Sequence, residues 1–438
     1  SVLVVDEQPA PGGQIWRAVE AVASTSVGVQ LGDEYIAGAG LVESFRRCGV
    51  VYEPSTQVWQ IEPGYAIFMT KNGSAEMVRA KHVVLALGAQ ERPAPFSGWT
   101  LPGVLTVGAA QILLKTSQQV PAQPVWVVGS GPVPLLYMSQ LLRVGGRIAG
   151  WLDTSPPHAW RRALPWTGAV LAASRDISKG LRWMRELKKA GVKRVQGVTN
   201  VRALGDGYLQ EVEYTLADGS TSRAPAQVLL SHEGVVPSIH MTRALDCKHS
   251  WSVQQCCLVP DLNEWGETTK PGVYVAGDGA GIGGANAACV RGEVVALGVA
   301  QSAGVLSEEA ATIEARPLRK ELNRLLRLRP MLDALYPPRA SIFAPPDETV
   351  VCRCEELTAG DVRKAAAIGK LGPNQLKAFT RAGMGPCQGR QCGYTIAHIV
   401  AAEQGRSVTE VGFYRIRPPL KPITLGELAS LELEHNKT

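Results

Sequence analysis

Five short apolar, β-branched runs, each closing in or near a turn, leave this chain few folds to choose from. Val2–Val5, Val83–Leu87, Val125–Val128, Gln227–Leu230 and Val273–Ala276 lie among helical patterns and Gly-rich turns over residues 1 to about 300. Runs this short and this uniformly apolar fit strands buried on both faces. Alternation with helices is how a helix-covered parallel sheet reads. The expected fold class is α/β. The 46 glycines against 6 phenylalanines suit it, because glycine lets a backbone come close to a nucleotide.

Charge and cysteine usage exclude several functions. Forty-five Lys and Arg against 39 Asp and Glu give a net charge of only +6, spread along the chain, so there is no electrostatic footprint for nucleic acid. No stretch approaches the roughly 18 uninterrupted apolar residues of a transmembrane segment, and SVLVVDEQ lacks the basic flank and apolar core of a signal peptide. Nine cysteines, an odd number, do not suit a secreted disulfide framework. A cytoplasmic protein with some cysteines as metal ligands is expected.

The opening SVLVVDEQPAPGGQIW reads as a strand, an acidic pair and a tight Gly12-Gly13 turn. In a dinucleotide fold a carboxylate at such a strand end takes ribose hydroxyls, which suits Asp6 or Glu7; a solvated acidic turn is the plainer alternative. The phosphate-cradling G-x-G-x-x-G belongs about 20 residues before such an acid. Either another segment supplies that layer or, as expected here, roughly 20–35 further residues carrying it lie ahead of Ser1 in the native chain. KHVVLALGAQERP and PGVYVAGDGAG add two strands that end in glycine turns, at Gly88 and at Gly277-Asp278-Gly279. PVWVVGSGPVPLL holds another such turn, with Gly129 and Gly131. Pro134 stands where a third glycine would allow close helix–strand packing, so a distorted turn is expected there. Asp153, ending RIAGWLD, is placed for a ribose hydroxyl. Active NAD(P)H chemistry, an inert adenine nucleotide and an empty packing domain all remain open for this unit. Residues 1–300 contain no C-x-x-C or C-x4-C pair, so disulfide-reductase chemistry lacks its nucleophiles. Cys48, Cys247, Cys256, Cys257 and Cys289 read as small buried hydrophobes. His232 is the best general-base candidate, and a structural role suits it better.

A charged, Leu-rich helical stretch and the Pro-rich PPRASIFAPP separate this region from a unit with VCRCEEL and GMGPCQGRQCGY. Cys352, Cys354, Cys387 and Cys392 form two close pairs able to ligate Zn²⁺ or a [2Fe–2S] cluster. Thr358 and Asp361 make a helix start close to a capping box, and PNQLKAFTRAG gives a second short helix, each with a glycine stop. Zinc ribbons place their pairs on β-turns instead, so the helices favour the cluster. Arg353, Lys377, Arg381 and Arg390 lie near enough to offset its charge, or are ordinary surface.

The strands around Asp6, Gly88 and Asp278 match in order the two-dinucleotide-domain flavoprotein reductases. The cysteine unit resembles the bacterioferritin-associated-ferredoxin type of [2Fe–2S] domain. Together with ALGAQERPAPFSGW, LPGV and SHEGVVPS, the whole is similar to the large flavin subunit of hetero-oligomeric amine and amino-acid dehydrogenases, a group that includes opine oxidase, hydrogen cyanide synthase, D-hydroxyproline dehydrogenase and multimeric sarcosine oxidase. The resemblance implies two Rossmann-like domains and a small helical [2Fe–2S] domain. It implies FAD held by Asp6, Glu7, Gly12, Gly13, Gln14 and Val58, with Gly88, Gly277, Asp278 and Gly284 on the other side. It implies the cluster on the four cysteines, a structural ATP or NAD near Gly129, Gly131 and Asp153, and an FMN at a subunit interface. The partners implied are a β subunit whose flavin oxidises the amine and a small [2Fe–2S] γ subunit, and the location is cytoplasmic, peripheral to the inner membrane through electron transfer. The expected boundaries are 1–120 and 241–306 for the FAD domain, 121–240 for the second dinucleotide domain, 307–348 for the connector, 349–412 for the cluster domain and 413–438 for an extended tail. A stand-alone NAD(P)H-dependent ferredoxin or rubredoxin reductase and a non-catalytic scaffold are the alternatives.

Overall fold

The computed structural model describes all residues except 167, 169–173, 370–371 and 432–438. In the first domain β1 (Leu3–Val5) runs parallel to β2 (Val51–Glu53) across helix α1 (Asp33–Arg47). An antiparallel sheet follows, made of β3 (Gln57–Glu62), β4 (Ala66–Lys71) and β5 (Ser74–Arg79). Then come β6 (Val83–Leu85) and β7 (Ala89–Glu91).

The second domain is built from β8 (Val104–Thr106), α2 (Val107–Ser117), β9 (Val125–Gly129), α3 (Pro132–Arg143), β10 (Ile148–Asp153) and β11 (Arg194–Gln196). A three-stranded antiparallel flap from Val198 to Pro225 leads to β12 (Val228–His232). The five parallel strands stand in the order β11-β10-β9-β12-β8. This is the doubly wound pattern the apolar runs predict, with β9 at the switch of direction. The chain returns through β13 (Val235–Pro237), antiparallel to β7, so these two strands tie the domains together. Back in the first domain, β14 (Val273–Val275) pairs in parallel with β6 and leads to α4 (Ala285–Ser302).

The four parallel strands of the first domain form two separate pairs, β1–β2 and β6–β14, among the described residues. The other edges of β1 and β6 are without a strand partner there, and Leu3 and Val84 are 40% and 45% exposed. One continuous sheet, as a dinucleotide fold has, would cover them.

The connector is α5 (Glu308–Leu326) and α6 (Arg329–Leu335), followed by the Pro-rich run. The C-terminal unit packs α7 (Ala359–Ala366), α8 (Pro373–Thr380) and α9 (Gly393–Gln404) around Val351, Val362, Leu376, Ile396 and Tyr414. The capping box at Thr358 and Asp361 is formed, with Thr358 Oγ1 accepting from Asp361 N at 3.2 Å. The glycine stops are not: Ala367 ends α7, and Arg381, at φ 61°, ends α8 in the left-handed conformation. Glu355, 3.0 Å from the Arg381 guanidinium, holds that residue in place.

The core of this unit runs past residue 412, because Tyr414 is buried in it and Ile416 joins it to the core beneath β6 and β14. The tail is not extended throughout either. Leu425–Ala429 is helical, started by a capping box of Thr424 and Glu427 that the T-x-x-E spacing encodes. Residues 432–438 of the expected tail lie outside the described residues.

Candidate cofactor sites

Two glycine turns of the first domain lie side by side. Gly88 (φ 62°) and Gly277 (φ 68°) are left-handed turns after β6 and β14, and the two strands are adjacent. Asp278 Oδ1 accepts from the N–H groups of Gly283 (2.9 Å) and Gly284 (3.0 Å). Gly284 precedes α4 and offers no capping side chain, which leaves the positive end of an 18-residue helix open. Arg291, not singled out from the sequence, reaches back from α4 to the carbonyls of Gly277 and Gly281 and fixes this loop.

Asp6 ends β1 and accepts from Gln8 N at 2.8 Å, an Asx turn that orients its carboxylate. Glu7 is paired instead with Lys421 of the tail at 2.7 Å. Gly12 (φ 125°) must be glycine, since a Cβ there would lie 2.2 Å from the Trp16 carbonyl oxygen. Gly13 (φ 57°) completes the turn. The carbonyls of Gln14 and Ile15 accept from Lys115 Nζ at 3.2 and 2.9 Å. Lys115 is almost fully buried, and desolvation, then the charge of Arg17, pushes it down to about 8. Its signal was legible: it is the one charged side chain in the helix VGAAQILLKTS. Val58 lies on β3 and packs into the core beneath β6 and β14.

The second domain has its own glycine turn, after β9. Helix α3 begins regularly at Pro132, without the expected distortion, because proline suits the first helical turn, where an N–H has no partner within the helix. Pro132 and Pro134 do, however, remove two N–H donors from that turn. Gly129 (φ 140°) serves packing: a Cβ would lie 2.2 Å from the His232 carbonyl oxygen. Gly131 faces Tyr336 of the connector. Asp153 is buried, with Oδ2 held by the Arg194 guanidinium (Nε at 2.9 Å) and Oδ1 by Ser155 N at 2.9 Å. Beyond it lies a pocket of about 520 Å³ lined by Thr154, Ser155, Arg162, Arg339 and Ser341 among others. The hydroxyl of Thr154 and both Nη atoms of Arg339 are buried without hydrogen-bond partners among the described residues. His232 Nδ1 is 2.6 Å from Glu91 Oε1 and buried.

The four C-terminal thiols come together. Cys352 and Cys392 are fully buried, Cys387 is half-buried and Cys354 is exposed. Cys392 donates to Cys352, which this bond, against burial and with the N–H groups of Gly383, Glu355 and Cys354, pulls down to about 6. Cys354 likewise contacts Cys387, and burial is the main cause that raises it. Gly385 passes so close that a Cβ would lie 2.2 Å from Cys354 Cβ. Among the described residues, no three His, Cys, Asp or Glu side chains gather as ligands of a single ion. The nearby cations are engaged elsewhere: Arg381 with Glu355, Arg353 over Trp99, Lys377 over Tyr414, and Arg390 with the Leu420 carbonyl.

The thiol unit sits on the first domain. Gln90, two residues past Gly88, donates to the Arg390 carbonyl (3.3 Å) inside the Cys387–Cys392 loop. Arg243 donates to the Tyr414 carbonyl at 3.0 Å, and the Tyr394 hydroxyl accepts from Leu258 N at 3.2 Å. Trp251 stacks on Phe413 with centroids 5.3 Å apart.

Two glycine-turn domains of this topology define a class, and residues 1–304 match the pyridine nucleotide-disulphide oxidoreductase family. The chain belongs to that family and is an oxidoreductase. Residues 347–431 match the sarcosine oxidase A3 domain. More narrowly, the chain belongs with the A subunits of opine oxidases: it is 40% identical to the one from Rhizobium meliloti (strain 1021) over 434 residues, 98% of this chain and 93% of the relative. It is 33% identical to hydrogen cyanide synthase subunit HcnB of Pseudomonas protegens over 360 residues, 80% of this chain and 75% of the relative. The fold is shared with L-proline dehydrogenase from P. horikoshii, at a TM-score of 0.68 and 18% identity over 98% of this chain and 74% of that one. Among the described residues no helix is long and apolar enough to cross a membrane.

Proposed function

We propose that this chain is the flavin and [2Fe–2S] electron-transfer subunit of a multi-subunit dehydrogenase or oxidase that takes electrons from the C–N bond of an amino acid, an imino acid or an opine-like secondary amine. Oxidation of the substrate falls to the flavin of a partner β subunit; FMN at the interface and a small [2Fe–2S] γ subunit complete the assembly. The observation that carries this reading is the Gln90–Arg390 hydrogen bond, which joins the turn after Gly88 to the thiol loop. Passing electrons between two cofactors calls for proximity held rigidly, and no acid–base residue is needed.

The residues present fit FAD on the first domain. The left-handed glycines leave open backbone, the end of α4 supplies uncapped N–H donors for a pyrophosphate, and Asp6 and Asp278 are the ribose- and ribitol-type acceptors. The free edges of β1 and β6 are consistent with a further parallel strand in this fold. The thiols fit a two-iron cluster. They stand as two contacting pairs, Cys352 with Cys392 and Cys354 with Cys387, so each iron would take two thiolates, whereas one zinc would need four at a single point. When bound, the two groups supply stepwise electron storage. The protein holds them, excludes water from Cys352 and Cys392, and sets the distance between them.

In the second domain, the unpartnered Arg339 Nη atoms and Thr154 hydroxyl favour an anionic ligand such as a structural adenine nucleotide. Tyr336 against Gly131, the two prolines and the Asp153–Arg194 pair all disfavour exchange of NAD(P)H. The test is the visible spectrum of the purified protein with iron and acid-labile sulfide analysis. Flavin bands plus cluster absorbance, unbleached by NADH or NADPH, are expected. Rapid reduction by NADH would refute the dehydrogenase-subunit reading in favour of a reductase.

A further inference from the structure

Tyr414 is 4% exposed, in the core of the C-terminal unit, and its hydroxyl has no hydrogen-bond partner among the described residues. Buried tyrosine hydroxyls ordinarily find one. Its ring is seated on backbone that could carry no side chain: a Cβ on Gly383 or Gly389 would come within 2.7 Å of it, and one on Gly393 within 3.4 Å. For Gly383 that contact involves Cζ, the ring carbon that bears the hydroxyl. These glycines belong to the segments that hold the thiols. The Gly383 N–H donates to Cys352, Gly389 lies between Cys387 and Cys392, and Gly393 follows Cys392.

The backbone of Tyr414 is fastened on both sides. Asn374 donates from Nδ2 to the Phe413 carbonyl (3.2 Å) and accepts at Oδ1 from Arg415 N (2.8 Å), while Arg243 of the first domain donates to the Tyr414 carbonyl (3.0 Å). A residue that only filled space would do as well as phenylalanine, without an orphaned hydroxyl. Burial raises the pKa of this phenol, and the neighbouring thiols of Cys392, Cys352 and Cys387 raise it further, so it keeps its proton and remains a donor.

We propose that the Tyr414 hydroxyl donates a hydrogen bond to a bridging sulfide of the [2Fe–2S] cluster and thereby raises the reduction potential of the cluster. This rests on the cluster reading above. Hydrogen bonds to cluster sulfurs stabilise the more negative, reduced state, which fixes the sign.

The test is Tyr414→Phe in the full-length holoprotein, followed by redox titration with EPR detection. Iron and sulfide content should be unchanged, with the reduction equilibrium shifted on the order of tenfold toward the oxidised state, a midpoint about 59 mV lower for one electron. In iron-free protein the same change should leave thermal stability equal or higher, because the hydroxyl then has no bond to lose. A second measurement needs no variant: electron–nuclear double resonance on the reduced wild type in H₂O and D₂O should show an exchangeable proton with a coupling stronger than those of backbone N–H groups. A bound cluster at unchanged potential in Tyr414→Phe, or no such proton in the wild type, overturns the proposal alone. A wild type that binds no iron and sulfide overturns the cluster reading and the donor with it.

Discussion

Replacing Lys115 by methionine tests how the flavin-side turn is held. The ammonium is 4% exposed, donates to the carbonyls of Gln14 and Ile15, and lies 5.8 Å from the centroid of the Tyr35 ring. Its fall from 10.5 to about 8 corresponds to roughly 3 kcal/mol of desolvation and Arg17 repulsion carried by the folded state wherever the group is charged. Methionine removes that cost. It also removes two charge-assisted hydrogen bonds of about 1.5–3 kcal/mol each, so below pH 8 the variant should be less stable by at most about 3 kcal/mol.

The pH dependence is the sharper signature. Between pH 8 and 10.5 the folded wild type has released a proton that the unfolded chain still holds, so its stability rises with pH across that window. The variant lacks this rise, and the gap between the two should widen by about 3 kcal/mol. Urea unfolding midpoints of both proteins below pH 8 and near pH 10.5 measure it, and FAD affinity should weaken in the variant at every pH. Parallel pH profiles would refute the idea that a buried cation supports the Gly12–Gln14 turn.

Cys387→Ser should abolish cluster absorbance and acceptor-linked turnover while FAD stays bound, because a hydroxyl is a poor substitute for one of four thiolates; Cys289→Ser should change neither. Zinc instead of iron at the site, or full electron transfer in Cys387→Ser, would remove the cluster from the pathway. Arg339→Met leaves the Glu233 carboxylate buried at 5% residue exposure without its ion-pair partner, which should cost about 3–5 kcal/mol and lower the melting temperature. Pairing it with Glu233→Gln should restore part of the loss, and a double variant no better than the single one would show that the pair does not latch the connector.

Sequence alone determined the fold class and the turns. Apolar runs ending in glycine can hardly be placed except as buried parallel strands, and Gly88, Gly129 and Gly277 occupy backbone conformations that side chains disfavour. The thiol spacing and the Thr358–Asp361 start were likewise legible, because close cysteine pairs and caps act over a few residues along the chain. What only the tertiary structure decided involves partners far apart in sequence. Arg194, 41 residues beyond Asp153, takes the carboxylate that looked available for a ribose. Lys421 takes Glu7 across 414 residues, and Gln90 meets Arg390 across 300. The reading of 413–438 as an extended tail failed at Leu425–Ala429, whose Thr424–Glu427 start is local, whereas the burial of Tyr414 rests on distant partners. Prolines forbid a helix locally at Pro418 and Pro419, yet whether Tyr414 lies in solvent or against the thiol loops depends on three glycines and on Arg243 being there to receive it. Local propensity carries no information about a distant partner, so the contacts that join the glycine-turn domain to the thiol unit could be read only from the folded chain.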